Sequence, residues 1–383
     1  MTPSLNLASD SQIQISPVVT AADQALFLDV PARVYATNPH WVAPLRSSEA
    51  KYLAADNPFL SYGSLQAFVA LKNGTPVGRI VAAVNQRLIQ REGYPVGVFG
   101  FFECIEDEAI ATALLTHACD WLQEQGMTHV RGPIDLSTHN RCLWLVEGFD
   151  SSPLIMMPYN PAYYPKFVEQ NGWTKAKDAY AYRLDLTQKL DPKYEKGYRI
   201  ACRSGVTFRK LSLKGDAFWQ DVESMYHLFN TTFANNWSST PRTLEEFREE
   251  AKELQSVVDP DLFWIAEYEG KMVGFFMALP DYNIPLKQVN GRLNIWGILK
   301  FLWYRRQINQ CRVVVICALP EHRRRMVPLA LIHLGMSGGT QKQKPYQQAE
   351  LGYIYEDNLP SRHITEATGA TAHKTYRIYE KQL

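Results

Sequence analysis

Three consecutive arginines, Arg323, Arg324 and Arg325, separate an apolar run ending at Ala318-Leu319 from an apolar helical stretch that opens near Met326. Cations ahead of a helix N-terminus, where backbone N–H groups lack partners, are the ingredients of an anion site. This turn has no glycine, however. Met326 and Pro328 hold its far side, and Pro328 has no N–H to give. Further on, AELGYIYEDN (349–358) alternates so that Glu350 and Glu356 share one strand face, while Tyr353, Tyr355 and Asp357 share the other. Carboxylates and phenols are groups that accept and donate protons in catalysis. A third polar region, Arg131 to Phe167, contains Asn140, Glu147, Asn160, Tyr163 and Tyr164. Such residues can line a substrate pocket; asparagines equally cap turns and tyrosines fill cores. Ser137, His139 and Cys142 crowd the same loop without an orienting partner at recognisable spacing, so covalent catalysis is not expected. The nine histidines and six cysteines form no HExxH, CxxC or Cys/His cluster, so we expect no metal and free, buried thiols.

The elements that must position these groups belong to a chain with 46% apolar and 12% aromatic residues, enough for sizeable cores and two or three domains at 383 residues. Lys+Arg 40 against Asp+Glu 39 leaves a formal charge of +1, so no global field draws the chain to DNA or to anionic lipid. Any basic function must be local. The N-terminus lacks the pattern of a secretory leader, and no apolar run approaches the roughly 20 residues of a membrane span. A cytoplasmic protein is the expectation.

An internal repeat organises the chain. AFVALKNGTPVGRIVAAVN, from Ala67, and FWIAEYEGKMVGFFMALPDYN, from Phe263, each read as strand, tight turn ending in glycine, and second strand opening with Val-Gly. Gly74 and Gly270 are 196 residues apart, as are Gly78 and Gly274. Gly172/Gly369, Lys177/Lys374 and Tyr182/Tyr379 are all offset by 197. Two separated blocks with nearly one offset point to tandem duplication of a unit of roughly 190 residues. Each copy adds a helical stretch between the blocks, Ala113 to Gly126 in the first and Met326 to Gly339 in the second.

This order of a hairpin, a third strand, a turn, a helix, a strand ending near Glu356-Asp357-Asn358, a helix and final strands resembles the GNAT superfamily of acyl-CoA N-acyltransferases, in two copies covering nearly the whole chain. The resemblance implies an α/β (α+β) fold of two tandem GNAT-like domains, 1–188 and 189–383, each a mixed, mostly antiparallel sheet flanked by helices. It implies a cofactor, acetyl-CoA or a longer acyl-CoA, held in the second copy by Ala318, Leu319, Arg323, Arg324, Arg325, Met326, Val327 and Asn358. Met326 and Pro328 depart from the family's small residues at this turn. The matching turn of the first copy carries Glu103, Glu106, Asp107 and Glu108 and no arginine, so that copy is not expected to hold CoA.

The resemblance further implies Glu350 or Glu356 as base and Tyr353 or Tyr355 as proton donor. The segment 131–167 is similar to one found in a bacterial group of double GNAT-like proteins, with Leu143 where glycine is expected; it implies Asn140, Glu147, Asn160, Tyr163 and Tyr164 as acceptor contacts. The implied activity is N-acyl transfer to a small-molecule or lipid amine, with the first copy shaping the acceptor pocket. The alternatives are a catalytically silent binding or scaffold protein on the same fold, and aminoacyl transfer as in Fem-type enzymes. Finally, Leu293 to Gln307 reads as an apolar, aromatic helix followed by Arg305-Arg306, suited to peripheral membrane contact or to burial.

Overall fold

The computed structural model describes residues 13–383. The first copy runs β1 (Ile13–Pro17), α1 (Ala21–Val34), α2 (Arg46–Lys51), β2 (Gly63–Lys72), β3 (Thr75–Asn85), α3 (Gln86–Glu92), β4 (Val96–Cys104), α4 (Glu108–Glu124), β5 (His129–Gly132), β6 (Trp144–Glu147), α5 (Tyr163–Gln170) and β7 (Thr174–Asp185). The second runs α6 (Pro192–Arg203), β8 (Val206–Lys210), α7 (Gly215–Phe233), α8 (Leu244–Gln255), β9 (Phe263–Tyr268), β10 (Lys271–Pro280), α9 (Asn283–Val289), α10 (Ile295–Tyr304), β11 (Gln310–Ala318), α11 (Val327–Thr340), β12 (Gln348–Tyr355), α12 (Leu359–Glu366) and β13 (Thr371–Gln382).

The duplicated hairpins are β2–β3 and β9–β10. Asn73 and Glu269 have φ of 53° and 52°, and Gly74 and Gly270 have 73° and 72°, so both turns use the left-handed pair of residues that matches strand twist. The second glycine of each copy has a packing reason. A Cβ on Gly78 would stand 2.7 Å from Leu114 of α4, and one on Gly274 would stand 3.1 Å from Val327 of α11. Helix and strand therefore meet closely at equivalent places. Every residue of β4 is buried, because helices cover both of its faces.

The strands join into one sheet, ordered β1-β2-β3-β4-β5-β13-β7-β12-β11-β10-β9-β8, with β6 also on β13. The two copies exchange their final strands. β13 from the second copy pairs with β5 of the first, while β7 from the first pairs with β12 of the second. β7 and β13 also pair with each other, from Thr371↔Arg183 to Glu380↔Thr174. The division at 188/189 expected from the repeat would thus leave β7 with ladder partners, β12 and β13, that both follow it in the chain.

One corner ties the copies together through Asp281, 2% exposed, after β10. Its Oδ1 accepts from the N–H of Ile155 at 2.9 Å and of Asn283 at 3.1 Å, and its Oδ2 accepts from Gln310 Nε2 at 2.6 Å. Burial still pushes the carboxyl up to about 6. A carboxyl raised in the folded state contributes stability below its unfolded value of 3.8 and loses it as pH rises to about 6. Asp281→Asn keeps an oxygen for the backbone donors and removes the charge. It should therefore gain on wild type in denaturant unfolding by at most about 3 kcal/mol between pH 4 and 7. A difference that stays flat across that range would refute the account.

Candidate active site

The parallel pair β11–β12 is in register only from Gln310↔Gln348 to Val313↔Leu351. Beyond that, β11 follows β10 to Ala318↔Gly274 and β12 follows β7 to Tyr355↔Ala179, so the two strands part like a fork. Arg312 fixes the crotch. Its Nη2 and Nε donate to the carbonyl of Gly352 at 2.7 and 3.1 Å, and its Nη1 donates to that of Ile155 at 3.3 Å. Opposite it lies Glu350, 2% exposed, with Oε2 2.9 Å from His373 Nε2 and Oε1 without a partner. Burial pulls the Arg312 pKa down, and Glu350 opposes the shift.

The first copy repeats the fork. β4 and β5 pair from Val96↔His129 to Val98↔Arg131 and then separate. Here the gap holds a buried cluster of charges. Arg79, 1% exposed, donates through Nη2 to Glu49 at 3.1 Å and has Glu103 at 4.0 Å. Its Nε and Nη1 have no partner. Arg141 reaches Asp135 at 2.9 Å and Glu49 at 3.5 Å. The N–H of Phe101 donates to Asp135 Oδ1 at 2.6 Å, and the Tyr164 hydroxyl donates to Glu103 Oε2 at 2.7 Å. Three carboxyls thus face two guanidiniums. Burial raises Glu103 and Asp135 above the ordinary carboxylate range; at Glu49 burial is outweighed by Arg141 and Arg79, which hold it below.

Both forks open into one cavity of about 1730 Å³. The turn at Arg323 and Pro328 closes one end, and Arg79, Glu103 and Asp135 line the other. A side lobe lies between the sheet and α7–α8, where Phe218, Val222, Met225, Phe229 and Phe247 face Phe275 and Met277. The two forks communicate through Tyr353, whose hydroxyl is 3.1 Å from Cys142 Sγ. Burial pushes that thiol up to about 12, which leaves it protonated. His139 stands in the cavity wall with Nε2 2.7 Å from the carbonyl of Thr240, and burial holds its pKa below the ordinary value.

The structure separates the residues singled out from sequence. Tyr353 and Tyr355 line the cavity; Glu350 lies behind its wall, and Glu356 is bound to Lys175 at 2.7 Å outside it. Among the turn residues, Ala318, Arg323 and Asn358 reach the cavity, and Asn358 also caps α12. Leu319 and Val327 pack into the core. Met326 takes φ 63° between a 3₁₀ turn, Pro320–Arg325, and α11. The arginines divide their tasks. Arg325 donates to the carbonyl of Ser204 at 2.8 Å and lies over the Tyr268 ring, whereas Arg323 and Arg324 make no ion pair among the described residues.

In the loop region, Asn140 donates to the Asp135 carbonyl at 2.8 Å, so Asn140 and Tyr164 both brace the charge cluster. Asn160 staples β6 through the N–H and carbonyl of Leu145 at 2.7 and 3.2 Å. Tyr163 donates to the carbonyl of Cys104 at 2.8 Å and Glu147 accepts from Thr375 at 2.7 Å, both away from the cavity. The cluster itself escaped sequence reading, since Glu49, Arg79, Glu103, Asp135 and Arg141 share no motif spacing. A lone arginine inside the apolar strand VGRIVAAV was the one available signal.

Two copies of a forked sheet with a helix after each fork define a tandem GNAT-type acyltransferase fold. A tandem GNAT protein from the clavulanic acid biosynthesis pathway superposes with a TM-score of 0.59 at 14% identity, covering 97% of this chain and 98% of that one. A GCN5-related N-acetyltransferase from Sphaerobacter thermophilus gives 0.53 at 12%, covering 97% and 95%. At those identities the likeness is one of fold.

Sequence relatives carry the assignment further. A bacterial ceramide synthase from Caulobacter vibrioides (strain NA1000 / CB15N) is 32% identical over 388 aligned positions, 98% of this chain and 99% of that protein. Protein YghO of Escherichia coli (strain K12) is 30% identical over 365, covering 94% and 93%. The chain belongs to the family of these two proteins. No protein-family model matches it.

Proposed function

We propose that the chain transfers an acyl group from a long-chain acyl-CoA to the amine of a long-chain amino alcohol, forming an amide of the ceramide type, as the name of its Caulobacter relative suggests. One observation carries this reading: a single cavity joins a basic turn, an open strand fork, an apolar lobe and a buried cluster with an excess of carboxylate. Residues 189–383 then carry the acyl-CoA site, and residues 1–188 shape the acceptor pocket.

The residues fit the donor in a particular way. Pro328 removes a backbone donor and the side chain of Met326 removes space at the helix start, so anion binding rests on the side chain of Arg323, assisted by Asn358. Acyl-CoA supplies an activated carbonyl, and the fork below Gly352 is where its thioester arm would lie. At the other end, the carboxylate excess suits an ammonium, and the unpaired Nε and Nη1 of Arg79 suit a neighbouring hydroxyl oxygen. Glu103, raised by burial, is the group we assign to take the proton that the ammonium must lose before its nitrogen can attack. The N–C bond forms as the C–S bond breaks. As the C–S bond breaks the nitrogen gives up its second proton and the sulfur takes one up; Tyr353, whose hydroxyl burial keeps protonated, is the relay we assign, giving its proton to sulfur and regaining the one that nitrogen releases.

The test is direct. Purified protein, acyl-CoAs of two to eighteen carbons and a long-chain 2-amino alcohol should yield free thiol and an N-acyl amide detectable by mass spectrometry, with long chains preferred. Absence of both products with every chain length would sink the proposal. Arg323→Ala should weaken acyl-CoA binding about 10- to 150-fold, taking 1.5 to 3 kcal/mol for a charge-assisted hydrogen bond, and should flatten its salt dependence. Calorimetry showing equal affinity in wild type and variant would remove Arg323 from the site.

A further inference from the structure

The helix α10 packs against α9 along one side and leaves the other open. Gly297, Phe301 and Tyr304 form its inner stripe, with Phe301 stacked on Tyr282 at 6.0 Å. Its other large apolar side chains lie outward: Ile295 is 77% exposed, Trp296 74%, Ile298 48%, Leu299 54%, Leu302 51% and Trp303 64%. A globular protein seldom leaves so many large apolar groups together in water. The charge on the helix and its chain flanks has one sign; Asp29, across the neighbouring cavity, is ion-paired with Arg46. From Tyr282 to Pro320 the sequence contains no Asp or Glu, while Lys300, Arg305 and Arg306 flank the exposed face. Tryptophans near both ends of an apolar face, rimmed by cations, match the chemistry of a bilayer interface: rings at headgroup depth, aliphatic groups among acyl chains, cations at phosphates. A second cavity, of about 540 Å³, runs from Trp296 and Lys300 to Glu49 and Arg79 of the buried cluster.

We propose that α10 is a docking surface for an anionic lipid bilayer. The helix is too short to cross one, and among the described residues no helix is long and apolar enough to do so; it would lie in the interface plane. Docked in this way, the mouth of the smaller cavity faces the membrane, on the route a lipid amine would take to the cluster. That orientation rests on the function proposed above, whereas the docking does not.

Flotation with vesicles needs neither substrate nor turnover, so it fails or succeeds separately from the enzymatic reading. Wild type should float with vesicles of 70% phosphatidylcholine and 30% phosphatidylglycerol, and at least tenfold less with pure phosphatidylcholine or in 1 M salt. The triple variant Leu299→Ser, Leu302→Ser, Trp303→Ser should lose at least tenfold of the binding to anionic vesicles while keeping the wild-type thermal transition. Arg305→Glu with Arg306→Glu should do the same and so report the charge contribution. Failure of wild type to float, or equal flotation of the variants, overturns the proposal. So does a sedimentation result in which the triple variant dissociates a wild-type dimer yet still binds vesicles, since the face would then belong to a second copy of the chain.

Discussion

Arg312→Met should lower the free energy of unfolding by about 3–5 kcal/mol, the usual consequence of leaving a buried charge without its compensating neighbour. Arg312 is 5% exposed and Glu350 2%, in register across β11–β12. Methionine fills much of the volume but removes the positive charge that faces Glu350, whose carboxylate is hydrogen-bonded to His373 and not to Arg312. It also releases the carbonyls of Gly352 and Ile155, the first from β12 and the second from the loop that crosses from the first copy. The double variant Arg312→Met, Glu350→Gln removes the stranded charge and should recover at least half of the loss. Denaturant unfolding of the two single variants and the double variant forms the cycle. If the double variant is no more stable than Arg312→Met alone, the buried charge is not the cause. Because Arg312 also holds the fork at Gly352, acyl-CoA binding should remain weak even where stability returns.

The second large effect is expected at Glu103. Glu103→Gln preserves shape and can still accept from Tyr164, but it removes one of three negative charges and the assigned proton acceptor. Amine turnover, read as kcat/KM, should fall by about 10²–10⁴, the usual worth of a positioned general base. Acyl-CoA affinity should stay within twofold. Stability should not fall with it. Burial raises the folded-state pKa of Glu103, so its stabilising contribution belongs to low pH and is lost as pH rises through that value; above it the glutamine variant should match or exceed wild type. A well-folded variant with kcat/KM within fivefold of wild type would exclude Glu103 from the chemistry.

Local rules carried a good part of the architecture. The hairpin glycines were readable because a two-residue turn demands positive φ, which Gly74 and Gly270 adopt. The helix from Ala113 was readable from its apolar period, although it begins earlier, at Glu108, where the Asp107 side chain accepts from the Ala109 N–H. The face alternation of 349–358 carried over only in part: Tyr353 and Tyr355 reach the cavity and Glu350 and Glu356 do not, but a bulge between Leu351 and Ile354 shifts the register against β7, and Gly352 and Ile354 line the cavity as well. The arginine triplet could not be divided from sequence. Which of its members faces the cavity depends on Ser204 and Tyr268, remote in the chain, having claimed Arg325.

By itself, then, the sequence determined the duplication, the order from the hairpin to the closing strand in each copy though not the helices that precede each hairpin, and the apolar, basic character of α10, all of which follow from short-range periodicity, turn stereochemistry and composition. Only the tertiary structure decided that β7 and β13 change places. As repeat equivalents they carry matched patterns, with Tyr182 and Tyr379 at corresponding positions, so either could complete either sheet by local criteria. The choice depends on where the chain emerges and which sheet edge it meets. Only the tertiary structure, likewise, assembled Glu49, Arg79, Glu103, Asp135 and Arg141, because a buried charge acquires its partners from whichever elements fold around it, and no spacing along the chain records them.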